Sequence, residues 1–351
     1  MNVKSRAKVG AAVLGVAALG VGVLSTPAAA DYTTPPFRPL AGVGSDTTQY
    51  VLNGLGDVVL NTSGGKIVGS WNATGSATIT PKDATVAATA HCGGINRPNG
   101  SSAGIDRLIL DVNNTAQADC VDFARSSRGP VTAGPNLTWI PFGKDAVTYA
   151  TDLGSTLPTN LSVAQLASIY KTCTFVDAGV TKTVSKALLP QAGSGTRTYW
   201  LQSIGVTETE ITAAKAAGCV DDSVQEHDGI AIANGTQIMP YSVAQWIAQG
   251  KGFADVPNRR GESRLRNIAG VAPTTGSGTT LALNPNFTFA RDVYNVVSSA
   301  RLSDPNIQRA FVGASSQVCQ NLATIKNYGF GDLAADSAPS NCGDTNTTGN
   351  R

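Results

Sequence analysis

Three short segments rich in glycine and hydroxyl residues stand just ahead of apolar stretches with helical spacing: GVGSDTT at 42–48, GSSAG at 100–104 and GSGT at 193–196. A helix N-terminus carries unpaired N–H groups and partial positive charge, and glycine lets a ligand approach the backbone closely. Ser45, Asp46 and Thr47, then Ser101 and Ser102, then Gly193, Ser194, Gly195 and Thr196 are therefore candidate ligand-binding residues. A fourth segment, DFARSSRG at 122–129, adds hydroxyls on Ser126 and Ser127 and cations on Arg125 and Arg128. Any one of these segments alone is more often an ordinary cap or turn. Together they describe neutral donors, with cations nearby, arranged to surround one anion.

Elements of two kinds must position these loops. Tyr50, Leu52, Leu55, Val58 and Val59 lie at helical spacing directly after the first loop, and Tyr199, Trp200 and Ile204 form a face after the third. The second loop precedes the short apolar run 105–110. Ser162 caps a further helix with Val163, Leu166, Ile169 and Tyr170 on its apolar side. Strands are expected at 139–142, 147–150, 184–189 and 238–241. Short apolar strands alternating with amphipathic helices give an α/β fold. Residues 31–39 form a Pro/Thr-rich leader, and 337–351 a polar tail that is tethered only if Cys342 is bridged.

The start of the chain sets its compartment. Lys4, Arg6 and Lys8 precede an apolar run at 9–24, and Ala28-Ala29-Ala30 completes a secretory signal with Asp31 as the expected mature start. The run is too short for a stable anchor, and no cysteine stands at the cleavage site to take a lipid, since the first is Cys92. A secreted, extracellular protein is expected. The remaining length of about 320 residues favours two domains. With 14% charged residues and a net charge of +2, the chain lacks the basic excess of a nucleic-acid binder, while 42% hydrophobic residues exclude a disordered one.

Six cysteines in an exported chain read as disulfides. Fifteen pairings are possible; neighbour pairing (Cys92 with Cys120, Cys173 with Cys219, Cys319 with Cys342) closes loops of modest length. With no CxxC and only two histidines, no structural metal is expected, and no cofactor. GSSAG also fits a G-x-S-x-G nucleophile elbow with Ser102 at its centre, but that motif needs a buried strand before it, and HCGGINRPNG is polar and loop-like. His227, between Glu226 and Asp228, reads as a turn residue. No P-loop motif occurs. A binding protein is expected, not an enzyme.

On these residues the chain resembles the phosphate-binding proteins of the high-affinity phosphate ABC transporter. Members carry a Gly-rich entry to the first helix, a G-S-S/G-G/A-G loop, a V-D-F-x-x-S segment, a helix ending L-x-x-I-Y, a D-G-S-G-T loop, a D-G-I segment and an I-x-Y strand. Here these are similar to 42–47, GSSAGI, VDFARSS, 166–170, AGSGT at 192–196, 228–230 and 238–241. The resemblance, over about 40–330, implies a two-lobed type II periplasmic-binding-protein-like fold with lobes joined by two crossover strands. Lobe I would be 31–147 plus 243–351 and lobe II 148–242. It implies a monomer that captures inorganic phosphate or a related oxyanion between the lobes, with an ABC permease as membrane partner.

Two positions depart from the family pattern. Ser127 stands where members have the aspartate that accepts the proton of hydrogen phosphate, and Pro190 stands where they have an arginine. The resemblance then leaves Arg125, Arg128 or Arg197 to supply the cation and Asp46 to supply the acceptor. The alternative is a secreted structural or adhesive protein that keeps the lobes but has lost the site.

Overall fold

The computed structural model describes residues 31, 37–113, 119–333 and 341–351. The secretory signal read at 4–30 lies outside the described residues. The first half opens with strand β1 (Leu40–Gly44), helix α1 (Gln49–Val58) and strand β2 (Val68–Ser70). Helix α2 (Ser101–Asn113) and strand β3 (Phe123–Ser126) follow, with β2 and β3 both parallel to β1. All five residues of β1 are buried, as a parallel strand covered on both faces requires. Val51, Leu52 and Leu55 of α1 pack with Leu40, Val68, Phe123 and Phe311 in one core. Gly42 is there because the Phe123 ring lies across it: a Cβ at Gly42 would sit 2.0 Å from the ring.

Strand β4 (Leu137–Asp152) merges the two strands expected at 139–142 and 147–150 into one of 16 residues. The polar Lys144–Asp145 step, which broke the apolar pattern in the sequence, stays in the ladder. The register with its partner strand shifts here: Val293 faces Gly143 and Tyr294 faces Pro141, so Phe142 is an extra residue in β4, at a bulge where a proline without an N–H is tolerated.

The second half holds α3 (Val163–Thr172), β5 (Lys186–Pro190), α4 (Gly195–Ile204), α5 (Glu208–Ala216), β6 (Val220–Val224) and β7 (Gln237–Ser242). Strands β6 and β7 flank β5 in parallel. Ser162 caps α3 in a full capping box with Gln165. The second core gathers Leu166, Ile169, Leu189, Ile211 and Ile238 around Trp200, which meets Tyr170 and Phe289 edge-on.

After α6 (Val243–Gly250), β8 (Ser263–Leu265) and β9 (Ala290–Ser298) complete the centre. Strand β4 pairs with β9 through 137–146, with β7 through 147–150 and with β8 through 150–152. One sheet therefore runs β6-β5-β7-β4-β9-β3-β1-β2. Helix α7 (Pro305–Phe311) returns to the first core through Ile307 and Phe311.

Several expectations are corrected. The GSSAG segment is not a loop: only Gly100, at φ 100°, is outside α2, which starts at Ser101 and replaces the short run at 105–110. The stretch 263–290, expected with the first lobe, packs on the second core through Ile268, Leu283, Phe287 and Phe289. The cysteines, by contrast, pair as neighbours in all three cases, as expected. The tail is accordingly held by Cys342, and its strand β10 (Thr348–Gly349) also pairs with β4.

Because the Phe123 ring occupies the space a Cβ would need, Gly42→Ala should cost about 1–3 kcal/mol of stability through overpacking, measured by denaturant unfolding. Full retention of stability would show that the ring has room to move.

Candidate functional site

The Gly/Ser segments end at one place. Ser45, Thr47, Ser101, Ser127, Ser194 and Thr196 are fully buried, although they come from four segments and both halves of the chain. Ser45 Oγ lies 3.2 Å from Ser127 Oγ, Ser101 Oγ 3.4 Å from Ser127 Oγ, and Thr47 Oγ1 3.1 Å from Thr196 Oγ1. Gly195 closes over the serines: a Cβ there would fall 2.3 Å from Ser101 Oγ and 2.4 Å from Ser127 Oγ. Ser194 caps α4 by accepting from the Arg197 N–H.

Four residues outside the expected set complete the cluster. Arg291 of β9 donates from Nη2 to Thr196 Oγ1 at 2.9 Å and approaches Thr47 Oγ1 at 3.4 Å. Asp145 of β4 holds that guanidinium through contacts of 2.8 and 3.2 Å. His227 Nε2 lies 3.0 Å from Thr47 Oγ1 and 3.2 Å from Glu226 Oε2. His227 does occupy a turn, at φ 56°, but the turn points inward and both His227 and Glu226 are completely buried.

The Ser242 backbone N–H donates to His227 Nδ1, so in the neutral ring the proton is on Nε2. A nitrogen that already carries a proton cannot take one from Thr47, so His227 is no general base for that hydroxyl, which donates instead to Glu226 Oε2 at 3.3 Å. Two atoms in the cluster remain buried without partners: Arg291 Nη1 and Glu226 Oε1. Among the described residues, the one grouping of three metal-ligating types is His91, Cys92 and Cys120, and its sulfurs form a disulfide.

The expected cations have other uses here. Arg125 is buried beneath the first loop, bonded to the carbonyls of Gly42, Gly44 and Ser45 and to Ser70 Oγ, and burial lowers its pKa. Arg128 reaches Gly129 O and Ser102 Oγ, and Ser126 Oγ donates to Arg128 O. Arg197 pairs with Glu208 and Asp222 and donates to Pro190 O. Asp46, expected as the proton acceptor, receives Gln49 at 2.9 Å and Gln225 at 2.8 Å, with Arg259 at 3.5 Å. Gly193 takes part through its carbonyl, which accepts from Ser102 N. The sequence signal for Glu226 and His227 was their position next to the 228–230 segment; Arg291 had none.

Burial opposes the charge on Glu226, but hydrogen bonds from His227 and Ser194 and the Arg291 charge outweigh it and hold the carboxyl below its ordinary 4.5. As pH falls, the unfolded chain then takes up this proton first, so stability falls with it. The contribution is complete above about pH 4.5 and is lost as pH drops through the lower folded value. Glu226→Gln should flatten the acid limb of the stability curve, measured by unfolding from about pH 7 to about pH 3. An unchanged acid limb would show that Glu226 is not held ionised.

No family model and no curated protein matches the sequence. Solved structures do match its fold. A putative phosphate ABC transporter substrate-binding protein with bound phosphate from Clostridium perfringens superposes with a TM-score of 0.51 at 13% identity, over 83% of this chain and 98% of that one. An ABC-type phosphate transport receptor from Vibrio cholerae gives 0.50 at 14% identity, over 83% and 99%. At this identity the likeness speaks for architecture: the chain has an α/β, two-lobed type II periplasmic-binding-protein-like fold.

Proposed function

We propose that this chain is an extracellular solute-binding protein that closes two lobes on a tetrahedral oxyanion, phosphate first, and passes it to an ABC-type permease. In this reading the chain crosses between the lobes near 147/148, where β4 changes partner from β9 to β7, and near 242/243, and 263–290 returns to the second lobe. The observation that carries it is the buried convergence of hydroxyls from both halves on Arg291 and Glu226, whose Nη1 and Oε1 atoms have no partner. A buried polar group without a partner costs more than a neutral hydrogen bond contributes, so such atoms point to a ligand. The two solved structures above, a putative phosphate ABC transporter substrate-binding protein and a phosphate transport receptor, support the same direction.

The ligand's charge follows from the donors. Ser45, Thr47, Ser101, Ser127, Ser194 and Thr196 each have one O–H to turn toward an oxygen, and Arg291 adds the cation. Glu226 can only accept, so it selects an oxyanion that carries a proton. It takes over, from the other half of the chain, the role that the family pattern gives to an aspartate at position 127.

A calorimetric titration of the mature chain with phosphate, arsenate and sulfate tests the reading. One phosphate per chain should bind at micromolar affinity or better, about 8 kcal/mol. Thr196→Val and Ser101→Ala should each weaken it by about 1–3 kcal/mol by leaving ligand oxygens unpaired. No heat and no thermal shift with any of the three anions at millimolar concentration would overturn the proposal in favour of a structural or adhesive role.

Selectivity separates the two carboxylates. Glu226→Gln should weaken phosphate and bring sulfate within about tenfold of it, because an amide can donate to sulfate. Asp46→Asn should leave the phosphate-to-sulfate ratio unchanged. The reverse pattern would return the proton-reading role to Asp46.

A further inference from the structure

A second set of polar groups bridges the two halves at the rim of the cluster. Gln191 Nε2 donates to Asn99 Oδ1 at 3.1 Å, and Asn99 Nδ2 donates to Gln225 Oε1 at 3.0 Å. Gln225 Nε2 in turn donates to Asp46 Oδ2 at 2.8 Å. Beside this chain of amides the backbones meet directly, Ser102 N donating to Gly193 O at 3.1 Å. Gln191 and Gln225 flank β5 and β6, whereas Asn99 precedes α2 and Asp46 precedes α1, so every one of these bonds crosses from one half to the other. The Asp46 end is fixed. Its other oxygen accepts from Gln49 Nε2, and Gln49 Oε1 accepts from the Ala73 N–H at 2.8 Å.

We infer that Asn99, Gln191 and Gln225 form a latch anchored on Asp46, which sets how long the closed cleft stays shut. The inference rests on the reading above that the ligand sits between the halves, and it makes Asp46 a positioning residue. Three features favour a latch over a ligand contact. Asn99, Gln191 and Gln225 are half-buried at the rim, while the hydroxyl cluster is fully buried. Both Asp46 oxygens are taken by protein donors. The bridging side chains are neutral amides, each able to donate and accept at once, so the chain closes without adding a cation that would compete with Arg291 for the anion. When the halves separate, these groups exchange one another for water. A neutral bond of this kind shifts a closed-to-open ratio by about two- to tenfold, and one to a carboxylate by more. A latch that acts after the ligand has entered lengthens residence and leaves the encounter rate alone.

The test uses the full mature chain with spin labels at two exposed positions, Ser63→Cys in the first half and Ala216→Cys in the second. It compares the parent with the double variant Asn99→Ala, Gln225→Ala. Without added anion, the variant should shift the inter-label distances toward the open form by about tenfold in population. With inorganic phosphate as the probe, stopped-flow should give a release rate about tenfold faster and an association rate within about twofold of the parent's. Gln225→Glu, which keeps the side-chain size but sets a carboxylate against Asp46, should open the cleft further at neutral pH. Unchanged distances in both variants would overturn the latch, as would a loss of affinity confined to the association rate. If the parent binds no oxyanion, the distances alone still decide the latch, and that failed titration counts only against the function proposed above.

Discussion

The buried pair between Arg291 and Asp145 is the interaction on which the remaining architecture depends. Both side chains are almost wholly removed from solvent, and two ions so placed are tolerable only with close geometry and further hydrogen bonds. Asp145 has those bonds: Ser242 Oγ and the Ala244 N–H converge on the oxygen that Arg291 leaves free. The pair therefore ties together β4, β9 and the junction of β7 with α6, which is where the sheet passes from one half of the molecule to the other. Held from behind in this way, Arg291 has one orientation, in which Nη2, the nitrogen that Asp145 also binds, reaches Thr47 and Thr196.

This explains why the polar step in β4 is kept inside an otherwise apolar strand. Replacing Lys144–Asp145 by apolar residues would improve the strand pattern but leave a guanidinium buried without a counter-charge, the costlier arrangement. The same economy extends outward. Gln245 of α6 donates to the Thr47 carbonyl, and the Ser242 N–H sets the tautomer of His227. Each group that faces the cluster is thus oriented by a group that does not.

What the sequence made legible was local. The Ser162 and Ser194 caps depend on residues three apart, and the neighbour pairing of cysteines depends on short loops. The hydroxyl residues of the site were legible for the same reason, since glycine and serine before an apolar helix carry their own signal. The cation and the acceptor of the proposed site were not. Arg291 meets Asp145 across 146 positions, and nothing around residue 291 distinguishes it from a charge on an exposed strand. Arg125, Arg128 and Arg197 adjoin the loops in sequence. Adjacency does not determine direction, and Arg125 turns beneath the loop to bind its carbonyls.

The contrast between hydroxyls and charges also bears on how such a site tolerates being folded at all. Six hydroxyls can satisfy one another when they face no ligand, because each is both donor and acceptor and turns at little cost. A ring of lysines or arginines could not, and its mutual repulsion in a dry interior would oppose closure of the two halves. A single charge pair, with one carboxylate beside it, gives the cluster its polarity, and neutral groups do the rest. The close approach of Gly195 to Ser101 and Ser127 belongs to the same design: with no side chain at 195, the start of α4 comes down directly on the serines, so the backbone of one half meets the hydroxyls of the other. Affinity for an anion in such an arrangement depends on how well closure aligns many weak donors, so residues that govern closure matter as much as residues that touch the ion.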